Sequence, residues 1–384
     1  LKKNIIYISV WSISDGLSTA TVIPSLNIIG KACEEIALFT IERSQYNKKS
    51  FELNENIFHY PTISKSSVFS VAIFKLLLRT FKYAAAGNTQ MIICKGSQAG
   101  AMGCLISLFT RIPFVVESYE PHSDYMADSN CWKRWGLKYS IQKLLESLQK
   151  KKALMLGCVS KNFYKKLLKE GIDSQKLKFT PCPVDADKFG FDPERRKKKR
   201  KELKIEDDET VGIYVGKFGG IYYEEESFEL FSQASGFFQN FKLLIITDYE
   251  ISRIKLWACK YKINIVALSS IHHNLIGDYL SAADFAFTNV KPGPSKKYCC
   301  PVKNGEYWAN GLPLIIAENI GDDSDIAKNY EAGSVCNDIR SAGNSFIEIK
   351  KIMAMNNRNS DFWQKLIQEN RSVSFTLNMY DAIF

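Results

Sequence analysis

Short apolar runs alternate with longer stretches of helical spacing along the whole chain. Ile5–Val10, Met91–Cys94, Phe114–Glu117 and Leu154–Val159 have the length and composition of buried strands. Val68–Ala86, Ala99–Thr110 and Cys131–Lys150 between them have helical periodicity. The second half repeats the pattern. Val211–Val215, Leu243–Thr247, Ile263–Leu268, Phe285–Thr288 and Leu314–Ala317 predict strands. Helices are predicted near Glu226–Phe238, Ser252–Tyr261, Asn274–Ala283 and Val302–Asn310. Strands that alternate with helices predict parallel sheets covered on both faces, hence α/β architecture. Two such stretches of domain size predict two doubly wound, Rossmann-like domains with a cleft between them.

The boundary falls in "PCPVDADKFGFDPERRKKKRKEL", which Pro181, Pro183 and Pro193 punctuate. The expected division is residues 1–185 and 186–358. The basic run Arg195–Lys201 reads as a solvated helix face opening the second domain. Cys131–Lys152 mixes Trp132, Trp135 and basic residues with Leu and Ile at helical spacing. That composition suits an interfacial helix; it also suits a helix whose apolar face packs on its own sheet, which is the expectation here.

Composition is that of an ordinary globular protein, with 46% hydrophobic and 24% charged residues among 384. No apolar run has the length of a membrane span, and "LKKNIIYISV" reads as a first strand rather than a signal peptide. The ten cysteines include no CxxC pair, and the four histidines (59, 122, 272 and 273) do not supply a ligand set at zinc-binding spacing, so no metal site is expected. Free thiols suit the reducing cytoplasm. The net charge of +10 is uneven: residues 1–185 hold 25 Lys/Arg and 14 Asp/Glu (+11), residues 186–384 hold 26 and 27 (−1). The basic first half suits an anionic partner, such as the inner face of a membrane. No RNA- or DNA-binding motif accompanies the charge, so nucleic acid is not expected.

Two stretches carry candidate chemistry. "VGIYVGKFGG" ends a strand in Gly216-Lys217, where a glycine permits close backbone approach and a lysine can pair with a phosphate. "PVKNGEYWANGLPLII" places Lys303 and Glu306 one helical turn apart, just before a buried strand. A carboxylate can accept two hydrogen bonds from a vicinal diol, and a helix start offers free N–H groups to a diphosphate.

The second stretch resembles the nucleotide-sugar segment of retaining GT-B glycosyltransferases, family 4 in particular, where a helical glutamate precedes Gly-x-Pro and an apolar strand. Here these are Glu306, Gly311, Pro313 and Leu314–Ala317. "FTPCPVDADKF", "YLSAADFAFTNVKP" and "IGDDSDI" resemble further segments of that family, "SDGLSTATVIPSLNII" its loop after the first strand, and "RSVSFTLNMYDAIF" its tail. The resemblance implies a GT-B fold with residues 359–384 crossing back onto the first domain. It implies transfer of a sugar from a nucleotide-sugar donor, a UDP- or GDP-sugar, to a glycan or lipid-linked acceptor, without a bound metal and with retention, as in the building of a surface polysaccharide.

It further implies that Gly16, Gly216, Lys217, Lys303, Asn304 and Glu306 bind the donor. Lys217, His122 and Glu117 would serve catalysis. Glu117 and Glu120 stand at the same strand end, and either can bind a sugar hydroxyl. Tyr222 and Tyr307 are candidates to pack on base or sugar. The chain departs from the family at Tyr298, where many members carry a second glutamate, and at Tyr222-Tyr223, where a lysine is usual; Lys303, Lys296 and Lys297 are candidate replacements for the missing charge. Asp322–Asp325 reads as a helix N-terminus, and His272-His273 as the start of the helix before Ala282, with no chemistry assigned. Another GT-B enzyme, such as a nucleotide-sugar epimerase, and a non-catalytic binding protein are the alternatives.

Overall fold

The computed structural model describes residues 2–43, 53–64, 69–269, 271–355, 357–358 and 360–384. Val68, expected to open a helix, lies outside them. The chain forms two compact units, one of 1–182 with 373–384 and one of 183–372.

Unit 1 is a seven-stranded parallel sheet in the order β3-β2-β1-β4-β5-β6-β7. The strands are β1 (Lys3–Ser9), β2 (Cys33–Arg43), β3 (Ile57–Ser64), β4 (Met91–Lys95), β5 (Phe114–Tyr119), β6 (Met155–Cys158) and β7 (Leu177–Phe179). Helices α1 (Gly16–Gly30), α2 (Phe69–Ala85), α3 (Gly96–Thr110), α4 (His122–Asp128), α5 (Leu137–Lys152) and α6 (Lys161–Lys169) connect them. The stretch expected as a loop after β1 is therefore mostly the helix α1. It forms despite an internal Pro24 because Val22, Leu26 and Ile29 bury against the sheet, and burial outweighs weak propensity.

Unit 2 is a six-stranded parallel sheet in the order β10-β9-β8-β11-β12-β13. Its strands are β8 (Thr210–Val215), β9 (Phe241–Ile246), β10 (Ile265–Leu268), β11 (Phe285–Phe287), β12 (Leu314–Ala317) and β13 (Gly333–Cys336). Its helices are α7 (Ala186–Phe189), α8 (Pro193–Glu202), α9 (Ser227–Phe237), α10 (Ile251–Lys260), α11 (Ile276–Ala282), α12 (Val302–Ala309), α13 (Asp323–Asn329), α14 (Gly343–Met355) and α15 (Asp361–Asn370). Alternate residues of β8 serve two cores: Val211, Ile213 and Val215 face one cluster, Tyr214 the other. That is the signature of a sheet covered on both faces.

The last helix, α16 (Ser374–Asp381), belongs to unit 1, where Met379, Tyr380 and Ile383 join Ile5, Tyr7 and Leu26 in the core. The chain returns to unit 1 only at Val373. α15 stays with unit 2 because Trp363, Leu366 and Ile367 pack into its core.

In both sheets the strand order reverses beside the first strand of the unit, between β1 and β4 and between β8 and β11. Ligands of open parallel sheets bind beyond the carboxyl ends of strands at such a reversal. In unit 2 this places the loops after β8 and β11 at the centre of interest.

Candidate functional site

The loop after β8 is built on glycines and one exposed lysine. Gly219 and Gly220 have φ of 79° and 64°, a region costly for other residues, which makes the tight turn possible. Phe218 is buried edge-on to Tyr214, ring centroids 5.0 Å apart, and the Tyr214 hydroxyl donates to the Lys217 carbonyl. These contacts anchor the backbone on both sides of Lys217, whose residue is solvent-exposed and has no ion-pair partner among the described residues. Gly216 donates its N–H to Ile246 at 3.0 Å, and a Cβ there would meet the Tyr214 hydroxyl at 2.8 Å. The loops after β8 and β11 are joined by an antiparallel bridge between Tyr222 and Val290, with Tyr223 N–H to Asn289 at 2.9 Å and Lys291 N–H to Ile221 at 3.0 Å. Tyr222 is thus part of a two-loop brace.

α12 supplies the carboxylate. Glu306 is only 1% exposed. Its Oε2 accepts from Lys303 Nζ at 2.7 Å, one helical turn earlier, and its Oε1 lies 3.0 Å from His273 Nε2. His273 Nδ1 lies 3.3 Å from Lys188 Nζ, which also donates to Asn274 at 2.6 Å. An ammonium can only donate, so Nδ1 accepts and Nε2 carries the proton offered to Glu306. Burial pushes the Glu306 carboxyl upward, but Lys303 and His273 outweigh it and hold the group below its ordinary value. Lys188 is shifted downward by its partial burial, which Glu306 only partly offsets. The result is a file of alternating groups, Lys188–His273–Glu306–Lys303, drawn from α7, the turn before α11, and α12.

A buried tyrosine links this file to the lysine loop. Tyr307 is 1% exposed, and its hydroxyl accepts from the Val215 N–H at 2.9 Å. Lys217 follows Val215 by two residues, and Glu306 precedes Tyr307 by one, so the structure brings the two sequence motifs of unit 2 together. Tyr307 is used up in doing so and is not available to pack on a base. Asn304 is likewise internal: its Oδ1 accepts from Thr288 at 2.6 Å and its Nδ2 donates to Asp323 at 2.8 Å. With both ends of the amide committed inside the protein, Asn304 braces α12 rather than touching a ligand. Asp322 precedes α13, as expected, but Asp323 is buried against Arg371 at 2.5 and 2.6 Å.

Unit 1 holds the other candidates. Gly16 opens α1, and a Cβ there would meet nothing within 4 Å. The loop leading to it is fixed by Glu42, a wholly buried residue that the motifs did not single out. Glu42 accepts from Ser12 Oγ, from the Ile13 N–H at 3.0 Å and from Thr40 at 2.5 Å, and His59 lies 3.6 Å away.

Glu117 does not sit as expected. Its carboxylate accepts from the Tyr7 hydroxyl and from Tyr380 at 2.6 Å, with Lys95 at 3.7 Å, and the residue is 3% exposed. Both oxygens are taken by groups of the core, so Glu117 ties α16 to the sheet instead of reaching a sugar. Ser118, at φ 51°, makes an irregularity in β5 directly after it, and the pairing with β6 resumes at Tyr119. Glu120 lies in the turn that follows, its carboxylate 4.0 Å from His122 Nδ1. The His122 ring stands edge-on to Trp132 at 5.5 Å, and its Nε2 is buried without a hydrogen-bond partner among the described residues. Ser123 is held by Glu146 through its N–H at 2.8 Å and its hydroxyl at 2.7 Å, which fixes the backbone beside His122.

His273 and Glu42 are the residues that motif reading missed. The pair His272-His273 was visible, but its contact with a glutamate 33 positions later is made only by the fold. Among the described residues no group of three His, Cys, Asp or Glu is placed to hold a metal ion.

No protein-family model and no curated protein matches the sequence. Solved structures do match in fold. Sucrose-phosphate synthase from Thermosynechococcus elongatus aligns over 99% of this chain and 98% of its own with a TM-score of 0.78 at 16% identity. Anabaena HepE in complex with UDP and glucose aligns over 99% of both chains with a TM-score of 0.70 at 11% identity. WaaG, a glycosyltransferase involved in lipopolysaccharide biosynthesis, aligns over 98% of both with a TM-score of 0.69 at 11% identity. The chain has the GT-B fold, with two Rossmann-like units of seven and six parallel strands.

Proposed function

We propose that the protein is a glycosyltransferase that takes a sugar from a nucleoside diphosphate and passes it to a hydroxyl of a glycan or lipid-linked acceptor. The observation that carries this reading is Glu306, a buried carboxylate kept anionic between Lys303 and His273 at the carboxyl edge of a doubly wound sheet. The donor ribose offers two hydroxyls to Glu306. They replace Lys303 at Oε2, and the freed ammonium turns to the diphosphate. Lys217, exposed on the adjoining loop, supplies the second cation. Negative charge grows on the diphosphate as the glycosidic bond breaks, and preorganised cations stabilise that transition state more than the ground state. The His122 Nε2 of unit 1 is the atom assigned to the transferred sugar or the acceptor hydroxyl.

UDP is the first donor nucleotide to try, since HepE was solved with it, and GDP the second. Retention, metal independence and a hexosyl donor belong to the same proposal, as does a cytoplasmic site of action, which the ten free cysteines favour.

Thermal denaturation with UDP, GDP, CMP and ADP tests the donor site. A nucleotide at about 100 times its dissociation constant should add about 2.7 kcal/mol of stability, and Glu306→Ala should abolish the effect. Lys217→Ala should lower turnover with the matching nucleotide sugar by about 10²–10³. If no nucleotide raises the melting temperature, the donor reading fails. If one does but only sugar isomerisation follows, the enzyme is an epimerase.

A further inference from the structure

Lys188, at the far end of the file from Lys303, leaves a backbone that is held in place from several sides. α7 has only four residues, and the Asp185 side chain caps it by accepting from the Lys188 N–H at 3.0 Å. The buried Asn310 donates from Nδ2 to the Phe189 carbonyl at 2.7 Å. Gly277 of α11 lies against the Lys188 carbonyl, and a Cβ there would stand 2.8 Å from that oxygen. Only glycine lets the two helices come so close. Phe189 is buried and meets the His273 ring edge-on, centroids 5.3 Å apart. The Lys188 Nζ stands 5.5 Å from the centroid of the same Phe189 ring.

An ammonium has three protons to donate. One goes to Asn274 Oδ1 at 2.6 Å and one to His273 Nδ1 at 3.3 Å. The third has no acceptor among the described residues, and Lys188 makes no ion pair there. The residue is half-buried, so water does not fully compensate it. A cation bonded only to neutral groups, with one N–H to spare, is a donor in want of an acceptor.

Its place in the file says which acceptor. Given the donor site proposed above, on which this inference rests, the ribose lies at Glu306 and the diphosphate towards Lys303 and Lys217. Base, ribose and diphosphate are joined in that order, so the base falls on the other side of Glu306, where His273 and Lys188 stand. The His273 ring separates carboxylate from ammonium, with Nε2 3.0 Å from Glu306 and Nδ1 3.3 Å from Lys188. The base atom that Lys188 meets is therefore on the edge remote from the ribose. In uracil and guanine that edge carries a keto oxygen, O4 or O6; in cytosine and adenine it carries an amino group. Leu275, 49% exposed in the same turn as His273, offers apolar surface to the face of the base.

We propose that Lys188 reads the base of the donor nucleotide by donating its third N–H to a keto oxygen on the edge remote from the ribose. The site then takes nucleoside diphosphates of uracil or guanine and turns away those of cytosine and adenine. An ammonium cannot accept a hydrogen bond, so an amino group would meet it donor to donor and leave both unsatisfied.

The test is titration calorimetry of the full chain with UDP and CDP, and with GDP and ADP. The keto member of the pair that binds should bind the wild type about 10–100 times more tightly than the amino member. Lys188→Met keeps the apolar stem without the ammonium and should bring that ratio close to one. Lys188→Glu should reverse it, because a carboxylate accepts from an amino group. Each ratio is taken within one variant, so a general loss of affinity or stability cancels. If no nucleoside diphosphate binds the wild type, the donor reading fails and this inference with it. If they bind, but keto and amino members bind the wild type alike or either variant keeps the wild-type ratio, the inference alone is overturned and Glu306 keeps its role.

Discussion

A carboxyl in the interior is shifted down or up according to its immediate neighbours and its burial, and unit 2 contains both cases. Burial would raise Glu306, yet Lys303 and His273 hold it low. A carboxyl depressed in the folded state contributes stability that is present above its unfolded value and is lost only as pH falls through the lower folded value. Nucleotide binding that needs the carboxylate should therefore persist down to the ordinary glutamate range near about 4.3. His273→Ala removes one of the two opposing influences, so the pH at which UDP or GDP ceases to stabilise the protein should move upward. A thermal-shift titration from neutral to mildly acidic pH reads this directly; identical midpoints for variant and wild type would show that His273 does not tune Glu306. Asp323 is the opposite case, with burial carrying its carboxyl up to about 6 in spite of Arg371. The folded state then holds the proton more tightly than the unfolded one, so this group's contribution to stability declines as pH rises from about 4 to about 6.

Single elements show where the sequence was readable and where it was not. β8, β9, β12 and α12 follow from apolar runs and helical spacing, because each buries what its own pattern offers. Lys303 and Glu306 could be paired in advance, being one turn apart on one helix. α1 could not be read, since its helix depends on burial against a sheet assembled from distant strands. α5 was legible as a helix but not in its orientation. Gln142, Glu146 and Gln149 become inward-facing only where Ser97 and Ser123 are present to meet them. Asn304 and Glu117 had the right residue types for a ligand, but partners remote in sequence absorb them.

The same remote pairing joins α12, α13 and α15: Arg371 reaches Asp323, and Asp323 accepts from Asn304. Asp323→Ala leaves the Arg371 guanidinium, 1% exposed, without its counter-charge. Losing one partner of such a buried pair costs about 3–5 kcal/mol. Chemical denaturation should record that loss, with Asp323→Asn less affected because it still accepts one hydrogen bond. A loss within about 0.5 kcal/mol for the alanine variant would mean that the pair is not a brace.

For the whole molecule, the decisive feature is how the two units use the chain. Unit 2 is one continuous stretch, 183–372, and has both of its sheet faces covered from within it. Unit 1 needs two pieces, because α16 comes from the far end. Met379, Tyr380 and Ile383 enter its core, Lys3 Nζ donates to the Ile383 carbonyl at 2.8 Å, and Tyr380 bonds Glu117 at 2.6 Å. Burial of three large side chains stabilises unit 1 by roughly 5 kcal/mol, comparable with the whole stability of a small domain at about 5–15 kcal/mol. Ending the chain at Ser372 removes that contribution and leaves the nearly buried Glu117 short of one donor.

Unit 1 of the truncated protein should therefore melt well below its full-length counterpart, or not fold at all. Unit 2, which loses nothing, should keep its transition. If Glu306 and Lys217 are sufficient to hold a nucleotide, that surviving transition should still rise with UDP or GDP although sugar transfer is lost. Calorimetry on the truncated chain with and without nucleotide separates the cases. Two transitions, the lower one shifted and the upper one responsive, are expected; a single unshifted transition would show that α16 is dispensable to unit 1.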